Sequence, residues 1–256
     1  MLLLIDAGNT RIKWGVPQLA TALTNALPDW QQVDSVTHAE IATLGERWKQ
    51  YPVTRVLISN VAGEAVKAQL SDILARIFPA LQPYWLTSQA QLAGLKNQYR
   101  QPQRLGCDRF ASAIAAHYLY PQQNLIVATC GTATTVDAVS ADGVFTGGMI
   151  LPGLKLMAES LARNTAQLPQ VAESIGVNQL FADNTDQAIV SGCIHAQTGA
   201  ITLAYQAFAA EQKTAVTCLI SGGAAPYLLP HLSFDSRHIA NLVLTGLYVV
   251  AQSSPD

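Results

Sequence analysis

The sequence predicts an α/β protein made of two similar lobes. An apolar strand, a glycine turn and a second strand occur twice, as LLLIDAGNTRIKWGV at residues 2–16 and as LIVATCGTATTVDAV at residues 125–139. Helices and strands alternate after each copy, and no Gly/Ser-rich linker separates the halves. We therefore expect lobes at residues 1–115 and 116–256, a ligand cleft between them, and a last helix at residues 239–252 that packs between the lobes.

Each predicted element depends on a residue pattern. Short apolar runs indicate buried strands, apolar residues three or four apart indicate helices, and Pro or Gly marks the ends. In the first lobe these patterns predict strands at residues 2–6, 12–16, 55–61 and 83–87, helices at 64–78 and 109–120, and an irregular loop at 97–106. In the second lobe they predict strands at 125–129, 134–139, 144–150 and 217–221, helices at 154–162 and 186–209, and a loop-rich stretch at 165–184.

Composition excludes several classes of protein. The net charge is −2 and no run of Lys or Arg occurs, which argues against nucleic-acid binding. Only 12% of the 256 residues are charged. This fits an alanine-rich core with a polar but uncharged surface, or burial of part of the surface against another subunit, and we favour the second slightly. The four cysteines are scattered without a C-x-x-C pair, as in a reduced cytoplasmic protein without a zinc framework. No signal peptide or membrane segment is expected, because MLLLI is short and runs into Asp6.

Three glycine turns follow predicted strands, at residues 8–10, 131–134 and 221–224, whereas G-x-G-x-x-G and P-loop motifs are absent. Backbone N–H groups at such turns can approach a phosphate closely, with Thr and Asn adding side-chain donors. Asp6 could then hold Mg²⁺ through water, and Lys13 could neutralise phosphate charge. The alternative is ordinary hairpin chemistry, in which the glycines only permit the turn.

The stretch LGCDRFASAIAA at residues 105–116 places Asp108 and Arg109 where a loop becomes a helix. Asp108 could serve as an N-cap, which is the commonest use of Asp at a helix start. It could instead accept the proton of a substrate hydroxyl while the adjacent guanidinium binds a substrate carboxylate.

Five motifs occur in order along nearly the whole chain: DAGNT (6–10), GCDR (106–109), GTATT (131–135), GGMILPG (147–153) and SGGAA (221–225). In this order they resemble the type III pantothenate kinases, a bacterial family of the actin/hexokinase-like superfamily. The resemblance implies two ribonuclease-H-like lobes of the actin-like ATPase kind and a homodimer. It also implies ATP-dependent phosphorylation of pantothenate to 4′-phosphopantothenate, the first step of coenzyme A biosynthesis, with Mg²⁺ and a monovalent cation, K⁺ or NH₄⁺.

The resemblance also implies roles for individual residues. It implies that ATP and its Mg²⁺ are bound by Asp6, Gly8, Asn9, Thr10, Lys13, Gly131, Thr132, Gly222 and Gly223, with Asp6 holding the metal. It implies that pantothenate is bound by Tyr99, Gly106, Cys107, Asp108, Arg109 and Thr185, the last reaching the partner subunit's pocket. Asp108 would be the general base.

Thr129 departs from the family pattern, in which most members have Asp at this position to help bind the monovalent cation. A hydroxyl can coordinate K⁺ but supplies no charge, and Thr129 could instead only cap the strand end. Two other functions stay open on the same scaffold. One is a regulatory accessory protein, related to the Bvg accessory factor, with weak or no kinase activity. The other is a kinase for another small molecule or a polyphosphate hydrolase.

Overall fold

The computed structural model describes residues 1–18, 24–165 and 179–253. The chain divides into two compact units, one comprising Met1–Pro121, Gly143–Phe145 and Asn241–Asp256, and the other comprising Gln122–Asp142 and Thr146–Ala240. The division of the sequence after residue 115 stays a prediction, and so does the packing of the last helix between lobes. Most of the stretch expected to be loop-rich, 165–184, lies outside the described residues.

The elements are numbered in chain order. The described strands are β1 (Leu2–Ala7), β2 (Arg11–Pro17), β3 (Trp30–Thr37), β4 (Arg55–Asn60), β5 (Tyr84–Trp85), β6 (Gln91–Leu92), β7 (Leu95–Asn97), β8 (Asn124–Cys130), β9 (Ala133–Val139), β10 (Val144–Pro152), β11 (Val216–Ser221) and β12 (Ser236–His238). The described α-helices are α1 (Leu44–Trp48), α2 (Glu64–Ile77), α3 (Cys107–Leu119), α4 (Leu154–Asn164), α5 (Thr185–Gln212), α6 (Ala225–Leu228) and α7 (Leu242–Ser253). Short 3-10 helices occupy His38–Thr43, Pro102–Arg104 and Leu229–His231.

The first unit contains a five-stranded sheet in the order β3-β2-β1-β4-β5. The central strand, β1, is antiparallel to β2 and parallel to β4. Leu3, Ile5 and Ala7 pack into a core with α1 and α2. Because side chains alternate along a strand, Leu4 and Asp6 lie on the opposite face of the sheet. The apolar helix α7 contacts both α3 and the central strands, so the end of the chain completes this unit.

The second unit repeats the same plan. Its strands follow the order β12-β11-β8-β9-β10, with β8 antiparallel to β9 and parallel to β11. Ile126, Ala128 and Cys130 share a core with residues of the long helix α5. The first two residues of β10, Val144 and Phe145, belong to the first unit, where they pair in parallel with β7. The repeated strand order is that of two ribonuclease-H-like lobes, as the sequence predicted.

Sequence reasoning missed several short or exposed elements. The edge strand β3, WQQVDSVT, buries only Val36 fully, so its apolar alternation is weak. Strands β6, β7 and β12 have two or three residues each, too few for a pattern of their own. Within residues 1–18, 24–165 and 179–253, no helix combines the length and apolar character needed to cross a membrane.

Candidate active site

The first glycine turn joins β1 to β2. The N–H of Gly8 donates to the carbonyl of Arg11 at 3.0 Å, which closes the turn. A ring nitrogen of His38 lies 2.8 Å from the carbonyl oxygen of Gly8 and holds the turn from the neighbouring 3-10 helix. Asn9 and Thr10 are exposed at the tip. Both residues therefore lie on the solvent side of a turn that two hydrogen bonds of Gly8 hold in place.

Asp6 lies next to the last residue of β1, near both Lys13 and Asp108. Its register partners are Lys13 on β2 and Ser59 on β4. The pKa of Asp6 is raised to about 7, chiefly by burial and further by the negative charge of Asp108, while Lys13 opposes the rise. Two carboxyl groups that influence each other in a poorly solvated place are costly to ionise together. This arrangement favours the binding of a proton or a cation.

Asp108 stands in the first turn of α3. Burial raises the pKa of its carboxyl group, against the lowering effect of the Arg109 N–H, which donates to it at 2.8 Å, and of the Arg109 charge. A Cβ on Gly106 would lie 2.7 Å from the Oδ1 of Asp108, so any larger residue at position 106 would displace this carboxyl group. The structure therefore brings Asp6, Lys13 and Asp108 into one electrostatic cluster.

The start of α3 is tied to the end of β4. The Cys107 Sγ lies 3.3 Å from the Oγ of Ser59 and donates to the Asn60 carbonyl at 3.5 Å. Ser59 is fully buried, and sequence reasoning missed it. The available signal was a polar residue at the end of an apolar strand. Burial raises the pKa of the Cys107 thiol, so this residue holds the helix as a neutral group.

Arg109 is buried, with 6% of its surface exposed. Its Nη1 donates to the hydroxyl of Tyr99 at 3.0 Å, and its guanidinium carbon lies 5.7 Å from the ring centres of both Tyr99 and Phe145. The predicted pantothenate residues Tyr99, Gly106, Cys107, Asp108 and Arg109 all belong to the first unit. Phe145 was missed, because it lies 36 positions beyond Arg109 in a strand that the sequence assigned to the other lobe.

The second glycine turn joins β8 to β9 through two residues, Gly131 and Thr132, whereas three residues separate β1 from β2. The Gly131 N–H donates to the carbonyl of Ala133 at 3.0 Å. The Gly153 N–H donates to the carbonyl of Thr132 at 2.9 Å, and a Cβ on Gly153 would overlap the Gly131 carbonyl oxygen. The last glycine of GGMILPG is thus required for its contact with the turn.

The third glycine motif packs against the end of β8. Gly222 has φ +95°, and a Cβ there would overlap the backbone of Cys130. The N–H of Ala224 donates to the Cys130 carbonyl at 3.0 Å, whereas a Cβ on Gly223 would meet nothing within 4 Å. In the second unit, the motifs GTATT, GGMILPG and SGGAA therefore meet at the end of β8.

Gln197, which is fully buried on α5, forms hydrogen bonds to the strands β9 and β10 next to the second turn. Its Oε1 accepts from the Thr134 hydroxyl at 2.7 Å, and its Nε2 donates to the Pro152 carbonyl at 2.8 Å. One amide thereby joins β9, β10 and α5. This role was not predictable from the sequence, because a Gln in an almost uncharged helix resembles any other polar residue.

Thr129 occupies in β8 the place that Asp6 occupies in β1. It pairs with Thr135 on β9 and Ser221 on β11, so three hydroxyl side chains form a row across the sheet. The Oγ1 of Thr135 is buried without a hydrogen-bond partner among the described residues. No group of three or more His, Cys, Asp or Glu side chains suited to a metal occurs in the part of the chain that the structure describes.

Thr185 is the exposed first residue of α5. The preceding Asn184 caps this helix, its Oδ1 accepting from the N–H of Gln187 at 3.0 Å. Thr185, Thr129 and the glycines of the second and third turns belong to the second unit.

Several solved structures resemble this chain in fold. A proposed 2-dehydro-3-deoxygalactonokinase from Sinorhizobium meliloti matches with a TM-score of 0.59 and 14% identity, covering 98% of both chains. A glucokinase from an Antarctic psychrotroph matches with a TM-score of 0.55 and 11% identity, covering 98% of this chain and 99% of the other. A protein from Campylobacter jejuni proposed to be a Baf family transcriptional activator gives 0.58 and 18%, covering 98% and 97%. At these identities the likeness shows the fold alone, which is the two-lobed actin-like ATPase fold.

Sequence relatives define the family. The type III pantothenate kinase family model matches residues 2–207. A type III pantothenate kinase from Janthinobacterium sp. (strain Marseille) is 52% identical over 264 residues, covering 100% of this chain and 99% of the relative. The protein of the same description from Herminiimonas arsenicoxydans is 49% identical over 252 residues, covering 98% and 97%. The chain belongs to the type III pantothenate kinase family.

Proposed function

We propose that this chain transfers the γ-phosphoryl group of ATP to the terminal hydroxyl of pantothenate, forming 4′-phosphopantothenate for coenzyme A biosynthesis. The observation that carries this assignment is the placement of two carboxyl groups, Asp6 and Asp108, close enough that the charge of Asp108 raises the pKa of Asp6, with Arg109 next to Asp108 and donating to it. Phosphoryl transfer needs positioning, neutralisation of charge and a base near the attacking oxygen. The three residues supply these functions at the family's motif positions.

Asp108 acts as the general base. The bond from the pantothenate oxygen to phosphorus forms as the bond from phosphorus to the ADP oxygen breaks, and the hydroxyl proton passes to the Asp108 carboxylate. Its raised pKa makes it a better proton acceptor than an ordinary aspartate, in keeping with that task. Arg109 and the Tyr99 hydroxyl bind the pantothenate carboxylate, which aims the other end of the substrate at the phosphate.

Asp6 is suited to Mg²⁺. Its partly buried carboxylate carries a charge that Asp108 makes costly, and a hard cation relieves that cost. Mg²⁺ is commonly held by one or two carboxylates, substrate phosphates and water, so a larger ligand cluster is not required. When bound, Mg²⁺ neutralises charge on the transferring phosphate. Lys13 adds a positive charge on the neighbouring strand.

The hydroxyl row Thr135, Thr129 and Ser221 is suited to a monovalent cation. Neutral oxygens are acceptable ligands for K⁺, and the Thr135 Oγ1 has an unused lone pair. We assign Thr129 the family's cation position with a hydroxyl in place of a carboxylate. NH₄⁺ can donate to the same oxygens.

The glycine turns bind the nucleotide. In the first unit we assign Asn9 and Thr10 to phosphate oxygens, and in the second unit Thr132, while the N–H groups of Gly8 and Gly131 close the turns that present these residues. Gly222 and Gly223 bind near the adenosine. The tight packing of Gly153 and Gly222 keeps the second turn and its neighbour rigid, which is what phosphate positioning demands.

We also propose a homodimer of reduced, cytoplasmic subunits. Large apolar side chains of the second unit are exposed, including Ile150 (66%), Phe181 (86%) and Leu203 (63%), and all four cysteines are free thiols. Thr185 lies on α5 with Leu203 and would contribute to the partner's pantothenate site. A monomer by light scattering at micromolar concentration would refute this assembly.

The decisive experiment incubates the pure protein with ATP, Mg²⁺, K⁺ or NH₄⁺, and pantothenate, and measures 4′-phosphopantothenate. Asp108→Asn should lower kcat by roughly 10²- to 10⁴-fold while ATP binding stays within a few-fold of the parent. Product formation at the parental rate would remove Asp108 as the base.

A regulatory role is the second candidate, and the neutral Thr129 is the observation that favours it. An enzyme with a weakened cation site could survive as an accessory protein. Absence of product with either cation would favour this role and refute the kinase assignment.

A further inference from the structure

The Arg109 guanidinium is a buried charge held in a fixed orientation. Its Nη1 donates to the Tyr99 hydroxyl at 3.0 Å, and two aromatic rings face its carbon at 5.7 Å. An arginine side chain has many rotamers in water, and a binding site that needs one of them must restrict the others. Aromatic faces do this without competing for the N–H groups that a carboxylate ligand would use.

Phe145 is the more deeply buried of the two rings. It is fully buried at the start of β10 and pairs with Asn97 of β7. Its carbonyl accepts from the Gln98 N–H at 3.1 Å, one residue before Tyr99. The Phe145 ring also meets the Tyr99 ring edge to face, with centres 5.7 Å apart and planes at 65°. Phe145 therefore supports both the guanidinium and the tyrosine that binds it.

The loop that carries Tyr99 is anchored at its base. The Asn97 side chain, also buried, donates to the Pro102 carbonyl at 3.1 Å and accepts from the Tyr99 N–H at 3.0 Å. These two bonds hold the backbone at Tyr99, whose ring then contacts Phe145 and whose hydroxyl accepts from Arg109. Arg109 is thus supported by one aromatic group on this loop and one on β10.

We propose that Phe145 is a positioning residue for the pantothenate site. Its ring face, together with Tyr99, holds the Arg109 guanidinium in the orientation that receives the substrate carboxylate. This inference rests on the proposed function and adds a residue that neither a sequence motif nor a family comparison assigned. The role is electrostatic as well as steric, because the negative face of the ring stabilises the cation.

The test replaces Phe145 by phenylalanines with one, two and three ring fluorines, introduced at that codon in the full-length protein. Fluorination withdraws charge from the ring face while keeping the shape nearly constant. The KM for pantothenate should rise stepwise along the series, with kcat and the KM for ATP within about twofold of the parent. Phe145→Leu, which removes the ring, should raise the pantothenate KM by about 3- to 10-fold.

Phe110 provides the matched control. It is equally buried and adjoins Arg109 in α3, but neighbouring positions on a helix point about 100° apart. The same fluorinated series at Phe110 should leave the pantothenate KM unchanged. An unchanged pantothenate KM along the Phe145 series would overturn the inference. A fall in kcat together with a rise in the KM values of both pantothenate and ATP would also overturn it. A parent protein without pantothenate turnover would instead refute the proposed function, so the two failures are distinguishable.

Discussion

Replacing Asp6 with asparagine should stabilise the protein above neutral pH. The wild-type carboxyl group has a pKa of about 7 in the folded chain, against an ordinary value of 3.8, because burial and the Asp108 charge oppose its ionisation. The folded state therefore binds this proton more tightly than the unfolded state does. The stability that Asp6 contributes is fully present below pH 3.8, falls as the pH rises, and is lost above about pH 7.

The magnitude follows from the two pKa values. The interval from 3.8 to about 7 spans roughly three pH units, and each unit corresponds to about 1.4 kcal/mol, so the loss is at most about 4 kcal/mol. Asparagine has nearly the same shape and no charge. The variant should match the wild type near pH 4 and exceed it by a growing margin up to about pH 7, after which the margin stays constant.

Urea unfolding in the presence of a chelator, at pH values from 4 to 8.5, measures this margin without bound metal. Asp72→Asn is the matched control, since Asp72 is exposed on α2 in the same unit and loses the same charge. The control should show no such growth with pH. A margin for Asp6→Asn that is independent of pH, or that becomes negative at pH 8, would refute the electrostatic reasoning.

Three further substitutions test the second unit. Gly222→Ala should lower the free energy of unfolding by at least about 2 kcal/mol, because its Cβ would overlap the Cys130 backbone and its φ is positive. Gly223→Ala should lower it by less than about 1 kcal/mol in the same urea assay, because its Cβ would meet nothing within 4 Å. Equal losses for the two variants would contradict this reasoning. Gln197→Leu should cost about 1–3 kcal/mol, since it removes the buried amide that accepts from the Thr134 hydroxyl, and a Thr134→Val background should reduce that loss. Additive losses would show that the two residues act separately. Thr129→Asp should lower the K⁺ concentration for half-maximal activity about tenfold, and an unchanged K⁺ dependence would show that this position does not set the cation requirement.

Much of the fold was predictable because local patterns and tertiary structure agree. The apolar runs that end at Asp6 and Thr129 became the central strands of the two sheets, each followed by a glycine turn and an antiparallel partner. The helix beginning near Asp108 also formed as predicted, starting two residues earlier than expected. By contrast, β3 and the two- and three-residue strands depend on pairing with neighbours, and their own sequences carry little periodicity.

The candidate site was partly predictable for the same reason. Glycines, carboxylates and the GCDR motif stand close together in the sequence, so their chemistry could be inferred locally. Ser59, Phe145 and Gln197 could not be found in this way. Each reaches its partner through a contact that spans more than 30 residues of the chain.

The sequence by itself determined the repeated strand and glycine turn, the placement of Asp6 and Thr129 at equivalent strand ends, and the family. These properties follow from short-range periodicity and from residue types at fixed spacing. Only the tertiary structure decided that Asp108 raises the pKa of Asp6, that α7 completes the first unit, and that Phe145 faces Arg109. Burial and the approach of distant segments create these effects, and neither is encoded in any single stretch of the chain.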